Sequence, residues 1–281
     1  MTLTFDQIVF SGGGLRCFWQ GGFMEELGRH VSLSPKRVTG VSGGALAGAA
    51  WLGGAERTLL DCMRAAFEEE AYNATLEDML NDEDGRTPHQ RVYDEVVHKV
   101  LDETAQARIA DGPAFQILIG YAPSARLSGL TGAAMTVAYE AELHVVNSPH
   151  FNWAETAGMG SELVDARAAA RGGELADLVC AAATIPPLFQ TPEWHGKPVI
   201  DGGMADQAPM PDPNEGSTLV LLTRQYRRLP GIASRRYVAP SKETPADKID
   251  FTDPDKLTAT WDLGRDDGAA FIRDTQRSKE E

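Results

Sequence analysis

The stretch Arg37-Val38-Thr39-Gly40-Val41-Ser42-Gly43-Gly44-Ala45-Leu46-Ala47-Gly48-Ala49-Ala50-Trp51-Leu52 decides the reading of the fold. Residues 37–41 form a short apolar run suited to a buried strand, and residues 45–52 are small and helix-like. Gly40 and Gly44 stand two positions either side of Ser42. A strand that turns straight into a helix leaves no room for side chains at those two places, and the residue at its apex is strained. The apex hydroxyl then sits at a helix N-terminus, where the macrodipole favours developing negative charge. The spacing predicts a strand–serine–helix elbow with Ser42 as candidate nucleophile. G-x-S-x-G alone is a weak pattern, so the rest of the chain must support it.

Upstream, Gln7–Phe10 is a short apolar run that enters Ser11-Gly12-Gly13-Gly14-Leu15-Arg16. It predicts a strand, and Cys17–Gly28 a helix with Phe18, Phe23, Met24 and Leu27 as apolar positions. Three consecutive glycines between them expose backbone N–H groups that can bind an anion. The loop lacks the lysine of a phosphate-binding P-loop and the spacing of a dinucleotide loop, so an oxyanion hole fits it better. A tight structural turn is the competing reading. Arg16 is the one cation in this loop; it either organises the loop through carbonyl or salt-bridge contacts or meets a substrate phosphate.

Downstream, Glu56–Phe67 reads as a helix with Leu59, Leu60, Met63 and Phe67 on one face, and Asn73–Arg86 as a polar loop. Thr87-Pro88 is a helix start, followed by a stripe of Val92, Val96, Val97, Val100 and Leu101. Gln116–Ile119 and Ala141–Val146 have strand character, and Leu163–Leu178 is partly helical. Pro186-Pro187 must end any helix before it. Val199-Ile200 leads into Asp201-Gly202-Gly203, and Thr218–Thr223 is a continuous apolar run of the kind found in parallel sheets. Trp261–Ile272 reads as a closing helix. Strands alternating with helices predict a single α/β domain over residues 1–281, with 225–281 as a more polar C-terminal extension closing on it.

Composition bounds the partners. The 281 residues are 42% apolar and 24% charged, ordinary for a globular chain. The formal net charge of −15 disfavours nucleic acid, and also an anionic membrane at long range. A lipid partner would have to be held by apolar contact or a local basic patch. Cys17, Cys62 and Cys180 are widely spaced, which points away from a disulfide framework or a zinc site. Cys17 beside the glycine loop reads as a small packed side chain. No calcium loop pattern occurs, so no metal or cofactor is expected. The N-terminus lacks the pattern of a secretory signal and the apolar runs are too short to span a bilayer, so a cytoplasmic protein is expected, compatible with peripheral membrane contact.

Taken in order, Gly12-Gly13-Gly14-Leu15-Arg16, Gly40-Val41-Ser42-Gly43-Gly44 and Asp201-Gly202-Gly203 resemble the motifs of the patatin-like phospholipase family across most of the chain. Ala183-Thr184-Ile185-Pro186-Pro187-Leu188-Phe189 and Asp206-Gln207-Ala208-Pro209 are weaker matches; Gln207 stands where Asn is usual, and Cys17 where glycine is usual. The resemblance implies a three-layer α/β/α sandwich with a mostly parallel central sheet, and a serine lipid acyl hydrolase working through a Ser42–Asp201 dyad. It implies an oxyanion hole from the N–H groups of Gly12, Gly13, Gly14 and Gly43. Arg16, Gly40, Gly44, Gly202 and Gly203 would support it, and a lipid or other acyl ester would be the substrate. Two other readings compete with it. A Ser-His-Asp triad would want a histidine late in the chain, yet His195 is the last and precedes Asp201; Glu193–Lys197 around it reads as a hairpin turn. A non-catalytic lipid- or protein-binding module would have no chemical reason to keep both Ser42 and Asp201.

Overall fold

The computed structural model describes residues 4–69, 86–121, 148–150, 159–186 and 189–280. The expected strand at Ala141–Val146 and most of the expected loop at Asn73–Arg86 lie outside them. The first half alternates strand and helix: β1 (Gln7–Phe10), a 3-10 turn (Gly14–Cys17), α1 (Phe18–His30), β2 (Arg37–Val41), α2 (Gly43–Gly53) and α3 (Glu56–Glu69). Next come α4 (Pro88–Val100), α5 (Glu103–Asp111), β3 (Ala114–Tyr121), β4 (Gly160–Asp165), α6 (Ala166–Gly172) and α7 (Leu175–Ala182). The chain then forms β5 (Glu193–Trp194), β6 (Lys197–Asp201), a 3-10 turn (Gly202–Met204), β7 (Thr218–Leu221), β8 (Arg235–Val238) and α8 (Pro254–Glu280).

Local chemistry explains most of these boundaries. Thr87 caps α4 by accepting the Gln90 N–H at 3.2 Å, with proline in the first turn. Asp102 caps α5 through the Ala105 N–H at 2.8 Å, and Asp165 caps α6 through the Arg167 N–H at 2.9 Å. His195 (φ 49°) and Gly196 (φ 76°) make the two-residue turn between β5 and β6, as the hairpin reading required.

The sheet is mixed and mostly parallel, flanked by helices. β3, β2, β1, β7 and β8 run side by side in parallel, while β4 and β6 pair antiparallel with β3 and β5 with β6. The register of β3 matters most. β4 follows one edge of it from Gln116 to Tyr121. β2 and β6 share the other edge, so Val41 pairs with Leu118 and Asp201 pairs with Ile119. Consecutive residues of β3 thus bring the end of β2 and the end of β6 together, although they are far apart in sequence.

β1, β2 and β7 are fully or almost fully buried, the pattern of strands covered on both faces. α8 packs along α1 and against α3, and Trp261, Leu263, Phe271 and Ile272 join the main core from it. Closing begins earlier than expected, at Pro254, and the helix runs well past Ile272. The segment expected to be partly helical over 163–178 begins as a strand: β4 ends at Asp165, where the cap starts α6. Among the described residues no helix is long and apolar enough to cross a membrane.

Candidate active site

Ser42 sits between β2 and α2, with φ 55° and ψ −137°. That conformation is strained for any residue with a side chain. The flanking glycines show why the chain needs it. A Cβ at Gly40 would lie 2.7 Å from the Cα of Ala45, and one at Gly44 would overlap the carbonyl oxygens of Phe10 and Ser11. The turn brings α2 so close to β1 and β2 that only glycine fits on either side of the serine.

The Ser42 hydroxyl donates to Asp201 Oδ2 at 2.6 Å. Both residues are almost wholly enclosed, at 4% and 2% exposure. The other carboxylate oxygen, Oδ1, accepts the Gly203 N–H at 2.7 Å, while the Asp201 N–H donates to the Thr184 carbonyl at 2.8 Å. Thr184, flagged by the weaker motif, therefore works through its backbone. Gly202 and Gly203 form the 3-10 turn that lets the Gly203 N–H reach back to the carboxylate.

Burial pushes the Asp201 carboxyl above the ordinary carboxylate range; the Ser42 hydrogen bond, the charge of Lys248 and the Gly203 N–H pull it back down. This is the direction a base for a serine hydroxyl requires, because an ordinary aspartate binds protons too weakly. Burial and the charge of Asp201 push the Cys17 thiol far up, so it stays protonated and donates to the Ser11 carbonyl at 3.5 Å. Cys17 fills space beside the elbow: a Cβ at Gly43 would lie 3.0 Å from its sulfur.

The glycine loop faces the elbow. Its four candidate donors are not equivalent. The Gly12 N–H already donates to the Gln207 carbonyl at 2.9 Å, which corrects the expectation that it faces a substrate. Gly13 and Gly14 lead into the 3-10 turn, and Gly43 is the first residue of α2, where the N–H has no partner within the helix. No backbone or side-chain acceptor among the described residues takes the N–H of these three. Gly14 (φ 56°) has no room for a side chain, since a Cβ there would overlap the Lys248 carbonyl. Arg16 lies half-buried on the same turn, and its charge opposes the rise of the Cys17 thiol.

Second contacts lock these loops together. Thr223 Oγ1 donates to the Gly12 carbonyl at 2.6 Å, and the Gln207 side-chain amide donates to the Gly203 carbonyl at 2.7 Å. Gln207 thus ties the glycine loop to the Asp201 turn, through its carbonyl on one side and its side chain on the other. Lys248 was not legible as a site residue: its carbonyl accepts the Leu15 N–H at 3.1 Å and its charge reaches Asp201. It lies in a polar stretch without motif or periodicity.

A cavity opens at Ser42 and extends along α2. It is walled mostly by apolar side chains, among them Leu46, Leu59, Met63, Phe189 and Phe251. Lys248 and Ile249 line it as well. The hydroxyl of Tyr93, another lining residue, is 7% exposed as a residue and has no hydrogen-bond partner among the described residues.

The described histidines are engaged elsewhere. His150 lies between Asp206 (3.0 Å) and the Tyr237 hydroxyl (3.0 Å), and His98 contacts Asp177 at 3.1 Å. His89 stacks on Phe251, His30 meets Glu26, and His195 occupies the β5–β6 turn. His144 lies outside the described residues.

The fold and this geometry define an α/β protein with a buried serine–aspartate pair at a strand-to-helix elbow. The family model for the patatin-like phospholipases matches residues 8–213, and the chain belongs to that family, a group of lipid acyl hydrolases. No curated protein matches the chain.

Proposed function

We propose that the chain hydrolyses acyl esters of lipids, with Ser42 as nucleophile and Asp201 as its base. The observation that carries this reading is the 2.6 Å hydrogen bond between Ser42 and a buried Asp201 at the head of an apolar cavity. Ser42 Oγ attacks the ester carbonyl carbon while its proton passes to Asp201 Oδ2. The carbonyl oxygen becomes an oxyanion held by the N–H groups of Gly13, Gly14 and Gly43, aided by the α2 N-terminus. As the adduct collapses, the bond to the leaving alcohol breaks and Asp201 returns the proton to that oxygen. Water then attacks the acyl-serine, gives its proton to Asp201, and frees the acid as Ser42 regains a proton.

Lipid is favoured over a small polar ester by the walls of the cavity. Ile249 lines it and is 48% exposed, which suits a mouth that meets an apolar surface. Transient contact with a membrane or micelle fits that edge, and a net charge of −15 argues against nucleic acid as partner. Residues 225–281 belong to the same domain in this reading and supply one side of the site. Ser42→Ala and Asp201→Ala should each abolish hydrolysis of a p-nitrophenyl ester while the circular dichroism spectrum stays native. Full activity in either variant would sink the dyad.

A further inference from the structure

The cavity has a direction. Gly43, Leu46, Ala47 and Ala50 line it at helical spacing, so it follows one face of α2 away from Ser42. Beyond Ala50 the chain turns into α3, and the first residue of that helix, Glu56, also lines the cavity, together with Gly21 and Trp261. Trp261 is fixed there: it is 1% exposed and its indole N–H donates to Glu25 Oε2 at 2.7 Å. An apolar cavity that begins at Ser42 is thus also lined by a buried indole and a carboxylate.

Glu56 is half-buried, and its carboxyl is bound by its own backbone N–H. Burial and the nearby charge of Glu25 raise its proton affinity. Arg57 does not neutralise it, because that guanidinium is spent on Glu25 at 3.0 Å and stacks over Trp261 at 5.3 Å. Arg29 and Arg265 turn to Glu25 as well, at 3.1 and 3.9 Å.

We infer that Glu56 is the floor of an acyl-chain channel and that it limits the acyl group accepted by Ser42 to medium length. From Gly43 to Ala50 the helix rises about 10 Å, at about 1.5 Å per residue. An extended hydrocarbon advances about 1.3 Å per carbon, given C–C bonds near 1.5 Å. About eight to ten carbons therefore fit between nucleophile and floor. A longer chain must either cover the carboxylate with hydrocarbon, which is costly, or leave methylenes outside. Each methylene left outside adds nothing, where a buried one would raise kcat/KM about fourfold. This inference rests on the proposed hydrolase reading and deepens it by naming the substrate class, medium-chain acyl esters.

The test is a chain-length profile of the purified full chain on butyryl, octanoyl, decanoyl, myristoyl and palmitoyl p-nitrophenyl esters, each normalised to the butyryl ester. The wild-type profile should rise to octanoyl or decanoyl and gain nothing further by palmitoyl, where each added methylene, if buried, would bring about fourfold. Glu56→Ala should carry the rise about three carbons further, the reach of the side chain removed. Glu56→Gln keeps the length and removes the charge, so it should raise the ratio of myristoyl to octanoyl by a smaller factor, about threefold. If Glu56→Ala does not fold, the Gln variant carries the comparison. A wild-type profile that still rises from decanoyl to palmitoyl, or variant profiles that superimpose on the wild type, would overturn the inference while leaving the hydrolase reading intact. Failure of the wild type to hydrolyse any of the esters would instead remove the hydrolase reading, and this inference with it.

Discussion

Replacing Ser42 by glycine and by alanine separates the cost of the elbow from the chemistry it serves. Both changes remove the hydroxyl, and both leave Asp201 without its 2.6 Å partner, so that loss cancels in the comparison. They differ in one respect, the Cβ at φ 55° and ψ −137°. A residue with a side chain held in such a region costs about 1–3 kcal/mol. Glycine avoids that cost but loses about 0.5–1 kcal/mol to the greater freedom of the unfolded chain. The difference leaves Ser42→Gly about 1 kcal/mol more stable than Ser42→Ala, the reverse of the usual order in a helix or strand. For a chain of this size about 1 kcal/mol corresponds to about 2–4 °C in Tm. Urea denaturation followed by circular dichroism, with calorimetry alongside, would read it. Both variants should be inactive. Ser42→Ala more stable than Ser42→Gly by about 1 kcal/mol would refute the claim that the elbow stores strain.

Asp201→Asn should abolish hydrolysis yet stabilise the fold at neutral pH by about 0.5–2 kcal/mol, since it removes a buried charge and still offers an acceptor to Gly203 and a donor to Ser42. The sign follows from the raised native pKa: the unfolded carboxyl titrates near 3.8, so the wild type loses stability as pH climbs from there through the native value, and the Asn variant does not. Melts across that range should converge at low pH; an Asn variant less stable at pH 7 would contradict this. Gly14→Ala forces a side chain against the Lys248 carbonyl at a positive φ, and should cost about 2–4 kcal/mol in a urea melt and at least about tenfold in ester hydrolysis. Tyr93→Phe removes a buried hydroxyl without a partner among the described residues, so its stability in a urea melt should hold or rise; a fall of more than about 1 kcal/mol would show that the hydroxyl is bonded.

The parts legible in the sequence are those whose signal is local. β1 and β2 announce themselves because a buried parallel strand must be continuously apolar, and the loops after them need glycine where backbones touch. β8 escaped because Arg235-Arg236-Tyr237-Val238 is an edge strand, half-exposed throughout and paired with β7 alone. β4 escaped for the same reason: most of its side chains face solvent. α5 buries only Ala105 and Ile109, too little for a periodic stripe. At the site, Asp201 was found through its glycines, yet what brings it to Ser42 is the shared edge of β3, a register that no short motif encodes. The Gly12 N–H and the Lys248 carbonyl show the limit most clearly, because both act through backbone hydrogen bonds, which no side-chain pattern encodes.

The central claim is that Ser42 is an activated nucleophile. Incubating the folded chain with a fluorophosphonate and mapping the adduct by peptide mass spectrometry tests it directly. The account predicts a single phosphonylated residue, Ser42, with labelling lost in Ser42→Ala and strongly slowed in Asp201→Ala. An adduct on another residue, or no adduct on the native protein, would contradict it.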